Sequence, residues 1–178
     1  MRLKWSTLLL GVLVVVALVM YPQLPDVVVS HWGFDGPDGW APKRVFVPVL
    51  VGAAVVIQLL VSGVFWLRTP ERYTNIPNKG YWLAPERADA TWQRTAVFAD
   101  ATMFLTHGLF LLVLHLSAQM SGAPVLFPIP LALANWMFVG TILLLCVALP
   151  VWFFLSFRLP AVERARIKRE KRARRKPS

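Results

Sequence analysis

Four long apolar runs leave this chain few folds to choose from. They occupy residues 5–21, 45–67, 96–120 and 131–157, with polar segments between them. Crossing a ~30 Å hydrocarbon layer as a helix takes about 20 apolar residues, so each run is long enough, or nearly so, to span a bilayer. Composition agrees: 57% of residues are hydrophobic and only 16% charged, far from the balance of a soluble domain. The expected fold is an all-α integral membrane protein with one four-helix membrane domain over 1–157 and a basic tail over 158–178.

The first run sits behind Arg2 and Lys4, an arrangement that a secretory signal peptide shares. No small-x-small cleavage pattern follows, because the run ends in Val19-Met20-Tyr21-Pro22. The expectation is an uncleaved signal anchor. The fourth run is apolar apart from Asn135, and Pro150 predicts a kink in it. Gly11, Gly52, Ala53, Ala54 and Gly63 are expected to permit close helix packing. Cys146, the one cysteine, is expected to be a buried small apolar residue, and alone it forms no intrachain disulfide.

The net charge of +10 would suggest nucleic acid in a soluble protein, but its placement points to topology. Seventeen of the nineteen Lys and Arg residues fall in the N-terminal segment, the 68–95 loop and the tail. Only Lys43 and Arg44 lie in the other two loops. By the positive-inside rule both termini are inside (N-in/C-in), and loops 21–44 and 121–130 are outside. A bacterial cytoplasmic membrane is the expected location. The tail's cations suit the anionic lipids of an inner leaflet, at about 1 kcal/mol per residue held there. No nucleic-acid partner is expected, since no aromatic or folded module supports one.

The inner loop divides in two. Thr69-Pro70 through Asn78-Lys79-Gly80 is turn chemistry, with Trp66, Tyr73, Tyr81, Trp82 and Trp92 supplying rings suited to an interface. From Pro85 the pattern becomes helical, and a proline in the first turn with Glu86 and Asp89 close behind suits a helix start. This helix is expected to run unbroken into the third span. The uncharged 121–130 loop, with three prolines, is expected to lie on the membrane surface or pack on the larger outer loop.

Two groups of residues carry the chemistry. In the 21–44 loop, Val27-Val28-Val29 favours an extended segment leading to Ser30-His31-Trp32, and Pro37-Asp38-Gly39 is a turn signal. A turn at 37–39 would fold Asp35 and Asp38 back towards His31. Three readings are open: hydrogen bonding that fixes the loop, with Trp32, Phe34 and Trp40 packed on the membrane; recognition of a membrane or extracytoplasmic protein partner by His31, Trp32, Asp35, Asp38 and Trp40; and a divalent metal held by His31, Asp35 and Asp38.

The second group lies in the third span. Asp100 and His107 are seven residues apart, on nearly one helix face, and His115 is about 60° away. Together they climb roughly 22 Å, through depths where ionisable groups usually face a bundle interior. A proton path is one reading. The other is interhelical glue, with the imidazoles bonded to Gln58, Ser62, Asn135 or a backbone carbonyl, and Asp100 paired with Arg94 or the tail.

Leu24-Pro25-Asp26, His31-Trp32, Gly36-Pro37-Asp38-Gly39-Trp40 and Lys43 resemble the pattern of a bacterial domain-of-unknown-function family. That domain forms the N-terminal part of SdpI-like toxin-immunity and signal-transducing membrane proteins. The stretch Asn75-Ile76-Pro77-Asn78-Lys79-Gly80-Tyr81-Trp82-Leu83, with Ala84-Pro85-Glu86-Arg87, resembles a second segment of some members, in which the glycine position is often acidic. Two departures stand out. Gly33 takes the place of a polar residue after His-Trp, and the immunity proteins carry further membrane helices beyond four. The resemblance implies a short four-helix member of the wider group, acting as a non-enzymatic sensor, immunity or accessory subunit through the 21–44 loop. A transport or proton-coupled component using the polar face of the third span is the alternative. No nucleophile–base pair, phosphate loop or HExxH-type motif supports an enzyme, and no cofactor is expected.

Overall fold

The computed structural model describes residues 4–33, 35–67, 74–125 and 127–174, with side chains described as far as residue 169. Arg2, Phe34, Thr69, Pro70 and Tyr73, named above, lie outside the described residues.

The chain forms α1 (Lys4–Met20), a 3-10 turn (Tyr21–Gln23), β1 (Val27–Gly33), β2 (Gly36–Pro42), α2 (Lys43–Trp66), the single turn α3 (Lys79–Trp82) and α4 (Pro85–Met120). These are followed by α5 (Leu131–Leu143), a π-helical turn (Leu144–Ala148), α6 (Leu149–Ser156) and α7 (Ala161–Arg174). Four helices are long and apolar enough to cross a membrane: Lys4–Gln23, Lys43–Trp66, Pro85–Met120 and Leu131–Ser156. They suggest a multi-pass membrane protein. The structure also contains a two-stranded antiparallel sheet, so the fold is mostly helical rather than all-α.

At 36 residues, α4 is the organising element. It starts at Pro85, a residue whose missing N–H costs nothing in a first helical turn, and runs unbroken to Met120. Helices α1 and α2 pack against it, and the fourth span lies on it from the other side. One core cluster gathers Leu13 and Ala17 of α1, Val47 and Ala54 of α2, and Leu114 and Ala118 of α4, closed by Leu24 and Val28. The fourth span is peripheral, with none of its apolar window buried. Its Trp136, Leu143 and Phe154 are exposed, as lipid-facing side chains would be.

Pro150 acts through the ladder. It has no N–H to give, and the π turn just ahead, with Leu149 N–H bonding the Leu144 carbonyl five residues back, absorbs the mismatch. Two expectations are corrected. A Cβ added at Gly11, Gly52 or Gly63 would meet nothing within 4 Å, so these glycines mark no close approach, whereas Ala54 is fully buried at the α2 contact. Cys146 is exposed on the fourth span rather than buried.

Candidate functional site

The 21–44 segment is a β-hairpin standing over one end of the bundle. Its register runs from Val27↔Pro42 to Gly33↔Gly36, with irregularities between Val29 and Trp32. The strands therefore reverse between Gly33 and Gly36, and Pro37-Asp38-Gly39 lies within β2. This corrects the turn expected at 37–39. The physical reason is that a two-residue connection is set by its flanks, and Gly36 supplies the positive φ, +123°, that the chain needs to reverse there. Proline in β2 is tolerated because a two-stranded ribbon is all edge.

Within the hairpin His31 faces Gly39. A Cβ at Gly39 would stand 2.9 Å from the His31 Cβ, so only glycine fits beneath the histidine without displacing it. The His31 Nδ1–H donates to the Asp38 carboxylate, and the pair is open to solvent, with side chains 73% and 55% exposed. Asp35 is exposed in the turn, and Trp40 is 61% exposed. Trp32 turns the other way and meets Phe138 of α5 edge-on, with centroids 6.4 Å apart. Of the five candidate contact residues, the structure thus joins His31 to Asp38 and leaves Trp40 outward. Among the described residues no three His, Cys, Asp or Glu side chains are gathered as a metal ion would need.

The hairpin is fixed at its base. The Lys43 ammonium donates to the Leu24 carbonyl at 2.7 Å, lies 3.5 Å from the Asp26 carboxylate and sits 5.5 Å from the centre of the Tyr21 ring. The Lys43 backbone N–H bonds the Asp26 carbonyl at 2.9 Å. Along β1, α4 grips the strand twice. Ser117 Oγ donates to the Val29 carbonyl at 2.5 Å, and the Val29 N–H donates to Ser121 Oγ at 2.8 Å. These two serines were not legible as anchors, since Ser117 sits inside an apolar run and Ser121 in the uncharged loop after it, and neither position names a backbone partner.

The polar residues of α4 below the hairpin end also bind backbone. His115 Nε2–H donates to the Phe127 carbonyl at 3.0 Å and its ring stacks on Phe127. Gln119 clasps Ile129 through both N–H and C=O, at 2.7 and 2.8 Å. The 121–130 loop is thus folded back on α4, with Ala123 and Val125 packed against the core cluster.

Further along, Asp100 accepts the Ser6 N–H at 3.0 Å and the Trp5 N–H at 3.3 Å. These are first-turn donors of α1, which have no partner inside their own helix and lie at its positive end. Asp100 therefore caps α1 from a neighbouring helix. Arg94, offered above as its partner, instead donates to the Ser156 carbonyl at 2.8 Å. His107, fully buried, donates its Nδ1–H to the Ser6 carbonyl at 3.0 Å. Gln58 amide N–H groups reach Thr7 and Ser62. Three buried atoms around this seam have no hydrogen-bond partner among the described residues: Ser6 Oγ, Gln58 Oε1 and His107 Nε2.

At the termini end, the turn-rich stretch before α4 is a clamp on the fourth span. Asn78, in the left-handed region at φ 57°, donates to the Phe157 carbonyl at 3.0 Å. Trp82 Nε1–H donates to the same oxygen at 2.8 Å. With Arg94 on Ser156, these groups satisfy last-turn carbonyls that a helix cannot satisfy itself. Phe157 is fully buried beneath Trp82, with ring centroids 5.8 Å apart.

Residues 8–52 match the profile of a domain of unknown function, DUF1648. The matched segment runs from α1 through the hairpin into α2, and so contains the His31–Asp38 pair, Gly39 and the Lys43 clasp. No curated protein and no solved structure gives a match.

Proposed function

We propose that this chain is a non-enzymatic sensor, immunity or accessory subunit of a bacterial cytoplasmic membrane. In this reading both termini face inward, and the hairpin contacts an extracytoplasmic partner protein. The observation that carries it is the contrast between the hairpin's mounting and its exposed face. Val28 and Val29 are buried and the strand is bonded to the C-terminal end of α4 by Ser117 and its cap residue Ser121, whereas His31, Asp35, Asp38 and Trp40 are exposed. An exposed aromatic beside a hydrogen-bonding pair is the composition of a binding hot spot. The SdpI-like association belongs to this reading and rests on the motif resemblance over the matched segment. The cationic tail, drawn to anionic lipid, supports the inward placement of the termini.

The test is complementation of a strain lacking the gene with the His31→Ala, Asp35→Ala, Asp38→Ala triple variant at normal abundance. Loss of the phenotype-restoring activity is expected, and full restoration refutes the reading.

A second reading, a proton-coupled or transport component, is favoured by the unpartnered His107 Nε2. With Nδ1–H given to a carbonyl, Nε2 of the neutral ring is an acceptor, and a buried acceptor without a partner among the described residues is a place for a water or a substrate donor. Proteoliposome flux that is unchanged by His107→Leu rejects it.

A further inference from the structure

A cavity of about 390 Å³ opens between the hairpin and the α4–α5 seam, walled by Ser30, His31 and Trp32 above and by Val113, Asn135 and Phe138 below. We propose that it is a phospholipid site of the leaflet on the hairpin side. The proposal rests on the membrane insertion and orientation given above and goes beyond them.

The argument is one of matched gradients. Helix α5 begins at Leu131, so Asn135 lies about 6 Å and Val139 about 12 Å below its start, at 1.5 Å per residue. A bilayer's hydrocarbon is ~30 Å thick within ~40–45 Å overall, which leaves interfacial zones of about 5–8 Å on each side. Asn135 therefore stands at the depth of the glycerol esters, and Val139, Phe138 and Val113 stand at the depth of the chains. The wall is polar above and apolar below, as a phospholipid is. The Asn135 side chain forms no hydrogen bond to another described residue, and its two amide N–H donors suit ester carbonyls, which only accept. Ser30 and His31 at the mouth suit a hydrated headgroup. The volume falls in the range of built ligand sites, and the fourth span that forms one wall has no buried residue in its apolar window, so a chain has lateral access. Trp32 and Phe138 meet edge to face beside the cavity and tie the hairpin to the fourth span along its wall.

The experiment is native mass spectrometry of the full chain purified from membranes and exchanged into detergent. The same measurement follows reconstitution with phosphatidylethanolamine and phosphatidylglycerol vesicles. One retained phospholipid per chain is expected. Val139→Trp, which fills the lower cavity, should lower the bound fraction at least tenfold. Asn135→Leu, which keeps the volume and the fold's apolar surface, should lower it about fivefold, the cost of one hydrogen bond. Leu133→Trp, on the exposed face of α5, should leave it unchanged. No retained lipid, or equal retention in Asn135→Leu and Leu133→Trp, overturns the proposal, as does a retained molecule that is not a phospholipid. Release of the chain from membranes by alkaline carbonate would instead overturn the membrane reading beneath it, so the two failures are distinguishable.

Discussion

Replacing Lys43 with methionine keeps the length and apolar stem of the side chain and removes the ammonium. Three contacts disappear together. The bond to the Leu24 carbonyl, 2.7 Å long and 19% exposed at the lysine side chain, is charge-assisted and worth about 1.5–3 kcal/mol. The Tyr21 ring contact, at 5.5 Å, adds about 0.5 kcal/mol. The Asp26 carboxylate is 98% exposed, so its contribution is screened by solvent and is small. The total, about 2–3.5 kcal/mol, falls on the hairpin base, because the helices keep their own packing. Amide hydrogen exchange over β1 and β2 in detergent or nanodiscs is the assay. At tenfold per 1.4 kcal/mol, protection there should fall roughly 30-fold to 300-fold, with α4 amides changed much less. Asp26→Asn is the companion variant and should change protection by less than twofold. If Lys43→Met leaves exchange unaltered, or if Asp26→Asn matches it, the clasp described for Leu24 and Lys43 is wrong.

Three other substitutions test separate parts of the structure. Gly39→Ala places a methyl 2.9 Å from the His31 Cβ and should destabilise the hairpin by about 1–3 kcal/mol, read as lost exchange protection in β1 and β2. Asp100→Ala strips the cap from α1 and should lower thermal stability by about 1–2 kcal/mol, whereas Arg94→Ala should leave the α1 amides untouched. Trp82→Phe keeps an aromatic ring beside Phe157 but removes the indole N–H and the second ring of the bicycle, so a loss of about 1–3 kcal/mol, localised to amides at the end of α6, is expected.

The helical framework was legible because it rests on the length and apolar content of four runs, and four helices of matching extent are present among the described residues. The start of α4 at Pro85 was legible for a local reason, a proline with acidic neighbours in a first turn. The hairpin was half legible. Val27–Val29 marked an extended strand, and Asp38 does meet His31, but the Pro-Asp-Gly signal drew the turn three residues too far along. Local turn propensity there gave way to the register, which Gly33 and Gly36 flank. The partners of the polar residues were the least legible. Asp100, His107, His115, Ser117, Asn78 and Trp82 all engage backbone groups of distant segments. A backbone carbonyl or N–H leaves no trace in residue identity, so pairing by side-chain type, Asp100 with Arg94 for example, looks for a partner of the wrong kind. In the described structure α4 serves as a bracket whose polar side chains hold a helix start, a helix end, a loop and a strand.

That bracket matters for function only if the hairpin stands on the outer side of the membrane. The direct measurement is thiol labelling of intact cells with a membrane-impermeant maleimide, on a Cys146→Ser background. Trp40→Cys and Gly80→Cys report the two ends of the bundle. The account predicts labelling of Trp40→Cys in intact cells and of Gly80→Cys only after permeabilisation. The reverse pattern, or labelling of both without permeabilisation, would contradict it.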